Sequence, residues 1–183
     1  MTEEQIVQLI ADDAAMVDAL ALAATLGLPE WLIGAGFVRG KVWDHLHGRT
    51  GASTPSDIDL VYFDASESFD DAALETRLSR DLPDLKWDVK NQAVAHRWNG
   101  EPACSSVVDA LARWPETATA VGVTTERGSL ELIAPHGIAD LVGLIVRPTP
   151  AFATSDARRE IVRSRFEKKR WHEKWPRLRL ALA

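Results

Sequence analysis

The chain has 183 residues, of which 46% are apolar and 26% charged, with a net charge of −6. That is ordinary globular composition with enough apolar surface for a real core, and its length suits one domain, or one with a small appendage. No apolar run approaches the ~20 residues of a membrane helix. The acidic start Met1-Thr2-Glu3-Glu4 is unlike a basic secretory leader, and the single Cys104 excludes an internal disulfide or a multi-cysteine zinc site. A cytoplasmic protein is expected.

The charge is unevenly spread. Residues 157–183 carry ten Lys/Arg and three Glu, and the remainder carries 11 basic against 24 acidic residues. Such a tail suits an anionic partner such as RNA or a nucleotide. It equally suits a solvated helix docked on an acidic body.

In chain order, residues 3–25 are predicted as one helix, opened by a Thr2/Gln5 capping box and closed by Gly27 and Pro29. Trp31–Ile33 reads as a strand running into the Gly34-Ala35-Gly36 turn, and 37–47 as a helix. Residues 48–55 read as a loop, and Asp57–Phe63 as a central β-strand, being β-branched and aromatic. A helix follows from Ser68, at its N-cap, to Arg80, then a half-buried strand at 85–89 and a short helix at 91–98. Another helix spans 106–114, with Ser106 and Asp109 at capping-box spacing. A hairpin joins 118–124 to 129–134 around Glu126-Arg127-Gly128, and a helix covers 136–145. Pro148 and Pro150 mark a linker before a basic helix at about 155–174. This order predicts an α+β (α/β-like) fold: a mixed sheet of about five strands flanked by helices.

The informative motif is Asp57-Ile58-Asp59 entering that central strand. Strand side chains alternate, so Asp57 and Asp59 share one face and Ile58, Leu60 and Tyr62 the other. Neighbouring carboxylates repel, and at the mouth of a buried strand they are costly unless a cation or donor neutralises them. Mg²⁺ suits them, because it accepts carboxylate oxygens and keeps positions for substrate phosphates. The small residues of Gly34-Ala35-Gly36 let backbone N–H groups approach a phosphate at a helix N-terminus, with Arg39 in the first turn. Asp88, between Trp87 and Val89 on a neighbouring strand, either joins the pair or faces outward. Lys90, Asn91 and Gln92 follow it, placed to touch a nucleotide or to cap the next helix.

The order strand, Gly-Ala-Gly, helix, Asp-Ile-Asp strand and apolar-flanked Asp resembles the DNA polymerase beta-like nucleotidyltransferase superfamily. More narrowly, it resembles a bacterial group of small nucleotidyltransferase-family proteins. The segments that carry this likeness include Ile33–Arg39, Ser56–Asp64, Trp87–Ala93, Trp114–Val121, Arg147–Pro150 and Lys168–Trp171 with Trp175–Leu178. The resemblance implies a single nucleotidyltransferase domain over 1–183. It also implies transfer of a nucleoside monophosphate from an NTP to an acceptor hydroxyl (on a small molecule, a protein or an RNA end) with release of pyrophosphate. Asp57 and Asp59 would hold two Mg²⁺ ions, and Asp88 would hold the catalytic ion and activate the acceptor. Gly34, Gly36, Arg39 and Lys90 would contact the nucleotide. Ala35 stands between the two glycines with no serine directly after them, and 20 residues separate Gly36 from Asp57; both depart from the superfamily's usual pattern. The competing expectations are a non-catalytic nucleotide-binding or toxin–antitoxin-like module, and an RNA-binding protein using the basic helix.

Overall fold

The computed structural model describes residues 1–49, 57–126 and 128–182. The predicted loop at 48–55 lies outside the described residues from position 50 onward, as does Arg127 of the hairpin turn.

The N-terminal region is two helices rather than the single one predicted, α1 (Glu3–Ala11) and α2 (Ala14–Ala24). The expected Thr2/Gln5 capping box opens α1. The break lies at Asp12-Asp13. Asp13 adopts an extended backbone, accepts the Met16 N–H at 3.2 Å and is held by Lys41 at 2.6 Å. A short acidic side chain that bonds nearby backbone N–H groups ends one helix and caps the next.

Strand β1 (Leu32–Gly34) leads into α3 (Gly36–Leu46), and β2 (Ile58–Tyr62) into α4 (Asp71–Asp81). Asp70, not Ser68, caps α4, while the Ser68 N–H is taken by the Asp64 carboxylate at 2.6 Å. Strand β3 (Trp87–Asn91) continues past the predicted end at residue 89. The helix expected at 91–98 shrinks to α5 (His96–Asn99). Ser106 caps α6 (Val107–Ala112) by accepting the Asp109 N–H at 3.0 Å. The hairpin is β4 (Gly122–Glu126) and β5 (Ser129–Ile133); residues 118–121 form the turn before it. The helix predicted at 136–145 is only α7 (Ala139–Val142).

Where that helix was expected to end lies β6 (Ile145–Val146), which pairs in parallel with β7 (Arg179–Leu180), and the expected linker at Pro148 and Pro150 follows it, with Pro148 bridged to Glu116. The basic helix is likewise divided, into α8 (Asp156–Lys168) and α9 (Trp171–Lys174), by Arg170 in a left-handed conformation at φ +51°.

The main sheet has five strands in the order β3-β2-β1-β4-β5. Only β2 and β3 run parallel, joined through α4; the other pairs are antiparallel, so the sheet is mixed as predicted. Helices α1 to α3 cover one face, burying Ile33, Ile58, Leu60, Tyr62 and Val89 in the main core. On the other face α6 seals only part of the surface, where Val107 and Leu111 meet Leu32 and Val61. The acidic end of β2 remains beside this patch. Helix α4 protects the outer edge at β3: Glu75 accepts the Val89 N–H at 2.9 Å and Asp71 the Asn91 N–H at 3.2 Å. No helix among the described residues is long and apolar enough to cross a membrane.

Candidate active site

Alternation along β2 sends Ile58, Leu60 and Tyr62 into the core and leaves Asp59 on the partly open face. Asp57, two residues earlier, lines the same cleft as Asp59. The parallel register pairs Asp59 with Asp88, so the third carboxylate stands on the same face, one strand away. Asp57 is 2.8 Å from Lys86 and Asp88 is 2.8 Å from Lys90. Burial is the main cause that pushes the Asp59 carboxyl up to about 6; the Asp88 and Asp57 charges add to it, and Arg39 and Lys169 oppose it.

The cleft has a volume of about 610 Å³. One side is the start of α3, where Ala35 and Gly36 meet the cavity. Ala35 occupies φ +51°, ψ −118°, and its N–H donates to the Val121 carbonyl at 3.0 Å. Among the described residues no side chain caps α3, whose first turn, at Gly36, lines the cleft with its N–H groups and dipole.

The remaining predicted residues are placed differently. Gly34 does not line the cleft; it makes room for the Trp114 indole. Lys90 is held between Asp88 and Glu75, 3.6 Å from the latter, away from the cleft lining. Arg39 does reach the cleft but is buried, 6% exposed. Its guanidinium stacks 4.2 Å from the Trp171 ring centre and 5.1 Å from that of Trp43, and donates to the Thr119 hydroxyl at 2.6 Å. Burial lowers its pKa to about 10, with Glu116 resisting the shift, so it stays cationic at neutral pH.

Among the described residues no group of three or more His, Cys, Asp or Glu is already gathered as a metal site. The donors nonetheless fit Mg²⁺. Asp57 and Asp59 offer hard oxygens to one cleft, and the proton affinity of Asp59, raised first by burial and then by the Asp88 and Asp57 charges, is a cost that a bound cation would offset.

A family model for nucleotidyltransferases matches residues 21–180. The chain belongs to the nucleotidyltransferase family. An NMR structure described as a CCA-adding enzyme head domain is 31% identical to this nucleotidyltransferase, with a TM-score of 0.87 over 100% of this chain and 97% of the other. The Thermotoga maritima CCA-adding enzyme in complex with tRNA is 18% identical, with a TM-score of 0.58 over 99% of this chain and 42% of that one. A CCA-adding enzyme with CTP is 16% identical, with a TM-score of 0.61 over 96% and 43%. These last two likenesses are of fold, and this nucleotidyltransferase spans less than half of either enzyme. No curated protein sequence matches it.

Sequence reasoning missed the part of the nucleotidyltransferase cleft lining that the basic tail builds. Arg165, Lys169 and Lys174 form it together with Trp171 and Trp175. Arg165 is anchored by fully buried Glu116 at 2.6 Å, and the Trp175 indole N–H donates to Asp44 on α3 at 2.8 Å. The available signal was the opposite charge of tail and body, which favours docking of one on the other.

Gly34 gives a stability prediction. A Cβ at this position would lie 2.8 Å and 3.0 Å from two ring carbons of Trp114. Gly34→Ala is therefore expected to cost about 1–3 kcal/mol of overpacking, read as a lower urea midpoint with an unchanged m-value. An unchanged midpoint would mean that the ring moves aside freely.

Proposed function

We propose that the chain acts as one nucleotidyltransferase domain, in the cytoplasm, moving a nucleoside monophosphate from an NTP to an acceptor hydroxyl. The observation that carries this reading is the arrangement of Asp57 and Asp59 in one cleft, with Asp88 in register beside Asp59, where the cleft is also lined by the start of α3, uncapped among the described residues, and by cationic residues of the tail.

Asp57 and Asp59 would hold Mg²⁺, and Asp88 would complete the set once Lys90 releases it. When bound, Mg²⁺ supplies charge stabilisation to the attacking and leaving oxygens of an in-line displacement. The first turn of α3, at Gly36, receives triphosphate oxygens, and Lys169 and Lys174, which line the same cleft, neutralise them. Arg39 acts from beneath by fixing Trp171 against α3. The acceptor oxygen forms its bond to the α-phosphorus as the bond to the β-phosphate oxygen breaks. Asp88 takes the acceptor proton, and pyrophosphate leaves.

The CTP and tRNA bound by the CCA-adding enzymes support an NTP donor here and make an RNA end one candidate acceptor. The exposed Lys169 and Lys174 at the rim of the cleft favour an anionic acceptor of that kind. The test is Mg²⁺-dependent pyrophosphate release from the four NTPs in the presence of cell-extract RNA and small molecules. Release that disappears with chelator and in the Asp57→Asn/Asp59→Asn double variant supports the reading. Release that persists in the double variant refutes it.

A further inference from the structure

The segment Trp114-Pro115 forms part of the cleft wall, and none of the steps above uses it. Trp114 packs against the small cluster at α6, whose members Leu32, Val61, Val107 and Leu111 are at most 5% exposed. Trp114 itself stays partly exposed along the cleft.

At Gly34 the sheet leaves room for this ring. Gly34 and Gly122 face each other across β1 and β4. A side chain at Gly34 would strike the indole at 2.8 Å, and one at Gly122 would strike Leu32 at 2.5 Å. One step beyond the Ile33–Leu60 pair, Gly34 lies across from Asp59. The ring therefore rests about one strand spacing, roughly 5 Å, from the strand that presents the central carboxylate.

The backbone polar groups beside the ring are already committed. The Trp114 N–H donates to the Leu111 carbonyl at 3.1 Å, and Pro115 has no N–H. The Trp114 carbonyl accepts the Thr149 hydroxyl at 2.7 Å and the Pro115 carbonyl the Thr149 N–H at 3.0 Å. With its N–H donors spent or absent, this wall offers a base chiefly apolar area for stacking.

We infer that Trp114 is the platform on which the base of the incoming nucleotide stacks, and that this nucleotidyltransferase selects purine over pyrimidine triphosphates by stacking area without distinguishing adenine from guanine. The inference rests on the proposed use of the cleft for NTPs. Stacking on an aromatic side chain tolerates any base and grows with its π-face.

The test is calorimetric titration, with Mg²⁺, of α,β-methylene analogues of ATP, GTP, CTP and UTP and of inorganic tripolyphosphate. The wild-type protein is expected to bind the two purine analogues alike and several-fold more tightly than the pyrimidine analogues. Trp114→Leu is expected to weaken purine binding about tenfold while leaving tripolyphosphate unchanged. Trp114→Phe, which keeps a ring, is expected to retain most of the affinity. Unchanged purine binding in Trp114→Leu, equal loss of tripolyphosphate in that variant, or tighter pyrimidine binding by the wild type each overturns the inference. A wild type that binds tripolyphosphate as tightly as nucleotides overturns it while leaving the proposed function standing. A wild type that binds neither overturns both.

Discussion

Asp59→Asn is expected to lower nucleotidyl transfer on the order of 1,000-fold while making the metal-free protein more stable at neutral pH. The loss of activity follows from removing one of the two carboxylates that line the cleft and would hold the metal. The gain in stability follows from its environment. Burial and the neighbouring Asp88 raise this carboxyl from 3.8 to about 6. A carboxyl whose folded pKa is raised binds its proton more tightly in the native state than in the unfolded one. Its contribution to stability is thus fully present below about pH 4 and is lost as the pH rises through about 6. The gap corresponds to about 3 kcal/mol, and with partial exposure about 2 kcal/mol is the reasonable expectation. The wild type should show a downward stability slope between about pH 4 and pH 7 that Asp59→Asn lacks, with the variant melting roughly 5 °C higher at pH 7.5. Mg²⁺ competes with that proton, so stabilisation of the wild type by metal should be larger at pH 7.5 than at pH 5. Parallel pH slopes for the two proteins would contradict this account of Asp59. Such an exchange of stability for function is common at active sites.

The second large effect is expected at Arg39. Its buried guanidinium lies between Trp43 and Trp171, bonds Thr119 and feels the charge of Glu116. Arg39→Ala empties this slot, removes two cation–π contacts and leaves Glu116, which is fully buried, with Arg165 as its remaining cation. Losing one partner from a buried charged network costs about 3–5 kcal/mol, an approximately 10 °C drop in a chain of this length. Arg39→Lys should recover only part of this, because an ammonium keeps the charge without the planar face that both indoles contact. Arg39→Met, which refills the slot without charge, should fall between Ala and wild type and so separates packing from electrostatics. Guanidinium unfolding checks all three. A loss below 1 kcal/mol in Arg39→Ala would mean that the stacked geometry does not stabilise the fold.

Much of this architecture was legible from local pattern. The strand period alone put Asp57 and Asp59 on one side and Ile58, Leu60 and Tyr62 on the other, and the Thr2/Gln5 cap and the five-stranded sheet follow the same kind of signal. The breaks in the long helices were not. Asp12-Asp13 sits in an Ala- and Leu-rich run whose periodicity continues across it, so the interruption depends on Asp13 turning to cap α2 and pair with Lys41, 28 residues away. Arg170 gives no sequence cue for a positive φ; the docking of Trp171 against Trp43 and Arg39 accompanies that bend.

The candidate site divides the same way. Residues adjacent in sequence or strand register could be paired on paper. The cationic wall from Arg165 to Lys174 needs α8 and α9 folded back over α3, a contact between positions some 130 apart. Arg39 and Gly34 were recognised as special, but their neighbours Trp171 and Trp114 come from those distant segments. Their packing roles were therefore invisible.

The most direct measurement is a crystal structure with Mn²⁺ and a non-hydrolysable NTP, with the metal located by its anomalous signal. The account predicts metal bound by carboxylate oxygens of both Asp57 and Asp59 at about 2.0–2.2 Å, bridging to the triphosphate beneath the first turn of α3. Metal and triphosphate lodged elsewhere, with Asp57 still paired to Lys86 and Asp59 contacting neither, would contradict it.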